Sequence, residues 1–179
     1  MLKGILAALS AVLLTVSVNV LAQSPADLKD LEIAHVAYTA NTIDIRYAHL
    51  ALAISTNPEI QAFAQTMVHD HSAVNDRVLA LVTKLRLAPQ DNFLSRRLNE
   101  QADQLVREMS QLSGEAFDRR YAENEFGYHR AVNGLVEGTF IPNLEHPEVR
   151  ALIEETLLIF RAHEKHAEMM VAALEKQGS

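Results

Sequence analysis

The segment "MVHDHSAVND", residues 67–76, places two histidines and an aspartate inside an otherwise apolar helical pattern. Positions three and four apart lie on one face of a helix, and His71 falls on the apolar face of this one. That face consists of Ile60, Ala64, Met67, His71, Val74, Val78, Leu81 and Leu85. Neighbouring positions are turned by about 100°, so His69 is predicted to face solvent. An imidazole among core residues has to be explained by partners from other parts of the chain.

The composition indicates a single helical domain. With 179 residues, of which 49% are hydrophobic and 22% charged, the chain is long enough for one well-packed domain and too short for two. Only 6 Gly and 5 Pro interrupt long segments rich in Ala, Leu, Glu and Gln, which favour helix. The net charge is −7 and the basic residues are scattered. We therefore expect no nucleic-acid partner.

The first 22 residues have the pattern of an export signal. Lys3 precedes the apolar run "GILAALSAVLLTVSV", and "VLAQ" places Val20 and Ala22 at the small-residue cleavage positions. We predict a signal peptide at 1–22, a mature domain at 23–179 and a location in the periplasm or envelope of a bacterium. An uncleaved anchor is the alternative, since about 20 apolar residues could cross a bilayer. After cleavage we expect no integral membrane span; envelope or membrane-surface association and homodimerisation stay open.

Five helical segments follow. The pattern predicts long helices at 26–55, 58–85, 115–140 and 147–176 and a shorter, mostly polar helix at 94–112. Asn57 is the predicted N-cap of the second. Four long helices joined by short loops predict an all-α fold, an antiparallel four-helix bundle with one extra short helix between helices two and three.

Each long helix carries at least one polar side chain that can bind a metal ion in its apolar stripe. These are Asp44 on the first, His71 on the second, Glu125 and His129 on the third, and His163 on the fourth. Two residues equidistant from the turn of an antiparallel pair lie at one height. Asp44 and His71 are each 13 residues from the turn at 57–58. His129 and His163 are equidistant from position 146 in the other hairpin. Within each hairpin these residues are predicted to be level.

A layer of buried polar groups is tolerable only if its members bond to one another or hold an ion. Imidazole and carboxylate together suit Zn, Cu, Fe or Mn. His166 matches Glu125 in height and is a further candidate ligand. Asp70 is predicted to orient His71 or a neighbouring ligand, and Tyr47 to lie just outside the ligands. Two alternatives stay open: a metal-free hydrogen-bonded network in a non-catalytic structural or stress-related envelope protein, and a pH-responsive module.

From "FAQTMVHDHS" through "LSGEAFDRRYAENEFGYHRAV" to "LLIFRAHEKHAE", the chain resembles the bacterial domain of unknown function 4142 family. These are exported ferritin-like helical proteins often labelled predicted outer membrane protein. The resemblance implies a ferritin-like fold and an envelope location, but no known reaction. The family pattern matches Asp70, His71, Glu125, His129 and His163; Asp44 stands where Glu is common, and His166 matches a His found in part of the family.

The candidate ligands depart from the di-iron ferritin pattern, in which two helices each carry Glu-x-x-His. No Glu lies three residues before His71, and the last helix has "HEKH" instead. The set is rich in nitrogen and poor in carboxylate, which disfavours iron storage and favours a mononuclear or histidine-rich site for Zn, Cu or Fe. No nucleophile motif, phosphate loop or cofactor fingerprint occurs, so whether the protein is an enzyme stays open.

Overall fold

A computed structural model describes residues 23–177, which form helices and contain no strand. The all-α prediction is confirmed. The predicted signal peptide at 1–22 lies outside the described residues. Within residues 23–177, no helix is both long enough and apolar enough to cross a membrane.

The described part of the chain begins with a 3-10 turn at Pro25–Asp27 and continues as α1 Asp30–Ile54, α2 Pro58–Lys84, α3 Phe93–Met109 and α4 Gly114–Leu135. A π-helical turn at Val136–Phe140, a single helical turn α5 at Ile141–Asn143 and the long helix α6 Pro147–Gln177 follow. Asn57 caps α2 as predicted, because its side chain accepts a hydrogen bond from the Glu59 N–H.

Three of the predicted boundaries differ from the structure by three residues or more, including the end of the short helix, which is Met109 rather than residue 112. The first helix does not start at residue 26: the backbone is extended at Leu28, and α1 begins after Lys29, whose N–H donates to Glu32. The third long helix is not regular to Phe140, since α4 ends at Leu135 and a π turn follows. In this turn the Ile141 N–H donates to the Val136 carbonyl. The extra residue in the turn shifts which side chains face the core.

The helices pair as two hairpins. α1 packs chiefly on α2, and α4 packs chiefly on α6, while α3 lies on α1. Two large apolar clusters fill the interior: one contains Phe63, Met67, Phe117, Tyr121 and Met170, and the other contains Ile33, Phe140, Leu144, Ile153 and Leu157. On α6 His163 lies between residues of the two clusters, and on α1 Asp44 lies next to Ile43, the residue of the first cluster nearest the second. The interior is thus two apolar halves with a polar layer between them.

Candidate metal centre

Three buried histidines from three helices meet in the polar layer. His71 of α2, His129 of α4 and His163 of α6 each expose 5% of their surface or less. One ring nitrogen of each lies within 4.8 Å of the corresponding nitrogens of the other two. The ring centroids are 5.4–5.6 Å apart. The structure therefore brings together three of the predicted ligands.

Each imidazole is held by a hydrogen bond on its outer nitrogen. His71 Nδ1 lies 2.9 Å from Asn41 Oδ1, and the Asn41 amide nitrogen donates to Asn75, so Nδ1 carries the hydrogen. His129 Nδ1 donates to the Glu125 backbone carbonyl at 2.9 Å. His163 Nε2 donates to Asp70 Oδ2 at 2.9 Å. These acceptors select one tautomer of each ring, in which the remaining nitrogen carries a lone pair.

The three inner nitrogens have no hydrogen-bond partner within residues 23–177. They are Nε2 of His71, Nε2 of His129 and Nδ1 of His163, and each is shielded from solvent. Lone pairs cannot bond to one another, so this inner face holds three acceptors without a donor. A hydrogen on the outer nitrogen and a free inner lone pair is the arrangement found in metal-ligating histidines, whose outer N–H is bound by a carboxylate or a carbonyl.

Two carboxyl groups complete the layer. Asp44 is fully buried; its Oδ1 lies 3.6 Å from His71 Nε2, and its Oδ2 lies 3.6 Å from His129 Nε2. Asp44, Glu125 and His129 form a second group whose ligand atoms lie within 4.8 Å of one another. Ligand atoms about 2.0 Å from one tetrahedral ion are about 3.3 Å apart. Each Asp44 oxygen is within a few tenths of an ångström of that separation from one histidine nitrogen, Oδ1 from that of His71 and Oδ2 from that of His129.

Burial shifts the ionisation of every group in the layer. Burial raises the pKa of Asp44 from 3.8 to about 6, although the nearby His129 opposes this. Burial, together with the Asp44 charge, raises the pKa of Glu125 well above its usual value. The pKa values of all three histidines are lowered by burial. Burial therefore favours neutral imidazoles, and a pKa of about 6 leaves Asp44 mostly ionised at neutral pH, as metal ligands must be.

An aromatic ring closes one side of the histidine group. Phe160 of α6 stacks on His71, with centroids 4.7 Å apart and planes 10° from parallel. Asn133 of α4 donates to the Phe160 carbonyl at 3.2 Å, which ties α4 to α6 at this height. On the α2–α6 side, the Asp70 side chain is 30% exposed. Among these contacts, the Asp70–His163 pair therefore lies nearest to solvent.

The remaining predicted residues lie around the layer. Asp70 binds His163 of the opposite hairpin rather than its own neighbour His71. Tyr47 is buried and packs edge-on against Tyr128, with centroids 5.6 Å apart. The structure does not bring His166 into either group: its ring lies edge-on against Phe63, 5.1 Å between centroids.

Sequence reasoning missed Asn41, which fixes the His71 ring. Asn41 and Asn75 are both buried and bond to each other at 3.1 Å, and Asn75 also donates to Thr42. The signal was present, because Asn41 lies one turn before Asp44 and Asn75 one turn after His71. Two buried amides next to two candidate ligands on facing helices indicate a supporting network.

The fold and this layer define a class: an all-helical protein with buried His and carboxylate groups that could hold a metal ion. A family model described as "Domain of unknown function (DUF4142)" matches residues 17–170. The chain belongs to this family. No curated protein and no solved structure matches the chain.

Proposed function

We propose that the protein binds one transition-metal ion through His71, His129, His163 and Asp44, with Glu125 beside them. The observation that carries this proposal is the set of three inward lone pairs, each on a ring whose tautomer is fixed from outside. Three imidazoles and a carboxylate suit Zn²⁺, Cu²⁺ or Fe²⁺. In this proposal α1, α2, α4 and α6 form a ferritin-like four-helix bundle, and α3 is the added helix.

The unpaired atoms also weigh against a metal-free structural network. Such a network is favourable only when every buried polar member has a partner. Here the Asp44 carboxylate has no hydrogen-bond partner within the described chain other than the Glu125 carboxyl group, and the three inner histidine nitrogens have none. An ion would satisfy these acceptors together, whereas a protonated Glu125 carboxyl group offers a single hydrogen, to Asp44, and leaves the three histidine lone pairs unpaired.

We further propose that the protein acts outside the cytoplasm. The apolar run and the cleavage pattern at Ala22 support an exported protein of the periplasm or envelope. N-terminal sequencing of the protein from a periplasmic fraction tests this directly. A chain that starts at Gln23 is expected, and a chain that keeps Met1 and pellets with membranes would contradict cleavage.

The metal proposal is tested by elemental analysis of protein purified without a polyhistidine tag. We compare the wild type with the double variant His71→Ala/His163→Ala and with the matched control His49→Ala/His69→Ala, whose two histidines are exposed. Near-stoichiometric metal is expected in the wild type and the control but not in the first variant. Metal-free wild type that stays metal-free after incubation with Zn²⁺, Cu²⁺ or Fe²⁺ would refute the proposal, as would metal retained in the first variant.

A further inference from the structure

A cavity lies outside the polar layer, between α1, α3 and α4. It has a volume of about 280 Å³ and is lined on its three sides by side chains of these helices. The helix packing explains it, because α3 rests on α1 and barely touches α4. The floor is formed by Ala37 and Ala40, whose small side chains leave the space unfilled. We call this cavity the α1–α3–α4 cleft.

We propose that the α1–α3–α4 cleft binds an uncharged, largely apolar small molecule. Its walls are aliphatic and aromatic, with Leu98 and Leu105 on α3 and Leu135 and Tyr128 on α4. No Asp, Glu, Lys, Arg or His lines it among residues 23–177. Gln101 and Asn124 are its two carboxamide residues. A charged ligand would lose its hydration there without gaining a counter-ion, whereas an apolar one would replace water against apolar walls.

The volume sets the size of the ligand. An apolar cavity of about 150 Å³ holds a benzene molecule, so 280 Å³ accommodates a molecule of roughly two fused or linked rings, or an aliphatic one of equal size. The Tyr128 hydroxyl is already used, since it donates to the Ala40 carbonyl at 2.9 Å. The Tyr128 ring therefore presents a face or an edge to the ligand, and polar recognition falls to Gln101 and Asn124.

Contacts from α3 to both neighbouring helices border the cleft. Two solvent-exposed ion pairs join α3 to its neighbours: Arg46 of α1 with Asp103 at 2.6 Å and Arg120 of α4 with Glu108 at 2.7 Å. At the far end, Val136 and Phe140 of the π turn line the cleft. π turns inside helices occur frequently at functional sites, because they re-aim side chains that a regular helix would place elsewhere.

The cleft shares a wall with the candidate metal centre. Asn124 donates to Glu125 Oε1 at 3.4 Å, and the Tyr128 ring lies edge-on to His129, 6.2 Å between centroids. A ligand in the cleft therefore contacts residues that touch the polar layer. Binding to the cleft does not itself require an ion, so the proposal goes beyond the proposed metal site and stands independently of it.

The test uses the uncharged fluorophore N-phenylnaphthylamine, whose emission rises in apolar surroundings, added to chelator-treated and to metal-loaded protein. Two variants fill the cleft from exposed positions on opposite walls, Ala131→Phe on α4 and Gln101→Phe on α3. The matched controls are Ala116→Phe and Gln104→Phe, at exposed positions of the same helices that do not line the cleft. Circular dichroism melts verify that all four variants fold.

We expect saturable binding of one probe per chain in both metal states, with affinity at least tenfold weaker in the two filling variants and unchanged in the controls. Anilinonaphthalene sulfonate, which has the same ring skeleton and one negative charge, should bind at least tenfold more weakly. Equal binding to filled and control variants, equal binding of the sulfonate, or no saturable binding would overturn the proposal. So would an affinity that falls as protein concentration rises, since a second copy of the chain would then occupy the cleft.

Discussion

Replacing Asp44 by Asn should stabilise the metal-free protein while abolishing its response to metal. Asp44 is fully buried, and within the described residues its carboxylate has no hydrogen-bond partner other than the Glu125 carboxyl group. Burial raises its pKa from 3.8 to about 6. At about 1.4 kcal/mol for each pKa unit, ionised Asp44 costs the folded state about 3 kcal/mol at neutral pH. An Asn of the same shape carries no charge, and its amide can donate to the lone pair of His71 or His129.

The pH dependence of this gain follows from linkage. Between pH 3.8 and about 6, Asp44 is protonated in the folded protein and ionised in the unfolded chain. The free energy of unfolding of the wild type therefore falls as pH rises through that window. The difference between Asp44→Asn and wild type should be about 3 kcal/mol at pH 7 and should shrink toward zero near pH 4. For a domain of this size it corresponds to a rise in Tm of about 6–12 °C at neutral pH.

The assay is thermal unfolding by circular dichroism, in excess chelator and again with added Zn²⁺, at several pH values. Asp76→Asn, at an exposed position of α2, is the control for losing one negative charge. The reasoning is refuted if Asp44→Asn is no more stable than wild type without metal, if the difference does not depend on pH, or if Zn²⁺ still stabilises the variant as it does the wild type.

Three further outcomes are expected. Asp70→Asn should weaken metal affinity by roughly 10–100-fold, because Asp70 accepts the outer hydrogen of His163. Competition against a chromophoric chelator measures this affinity, and an unchanged value would show that Asp70 does not orient His163 for the metal. Removing metal should lower Tm by about 5–10 °C when the ion was present at about 100 times its Kd; calorimetry with and without chelator checks it, and identical melts would count against a bound ion. Phe160→Ala should cost about 3–5 kcal/mol, since this ring stacks on His71; a denaturant midpoint shift worth less than about 1 kcal/mol would show that the stack contributes little.

The sequence predicted the heights of the site residues better than their rotation about the helix axes. Counting residues from the turns placed Asp44 level with His71, and these side chains are 3.6 Å apart. The same counting placed His166 level with Glu125, yet the His166 ring packs against Phe63. Rise per residue is a fixed property of a helix, whereas the direction of a side chain depends on how neighbouring helices pack. Periodicity carries the first kind of information and not the second.

Other features were beyond sequence reasoning for local physical reasons. The π turn at Val136–Phe140 looks like ordinary helix in the sequence, because its formation depends on a balance of backbone hydrogen bonds. The partner of Asp70 could not be chosen between His71 and a neighbour, because the choice depends on the approach of α6 to α2. The α1–α3–α4 cleft depends on how far α3 lies from α4, a distance that no pattern of side chains specifies.

The distribution of the candidate ligands over two hairpins has a kinetic consequence. Asp44 and His71 belong to the α1–α2 hairpin, whereas His129 and His163 belong to the α4–α6 hairpin. Each hairpin alone offers an ion only two of these four ligands. Tight binding therefore requires that the two hairpins are already packed against each other. An interaction formed after the rate-limiting step of folding leaves the folding rate unchanged and slows unfolding. A bound ion would therefore lengthen the lifetime of the folded chain more than it would hasten its formation.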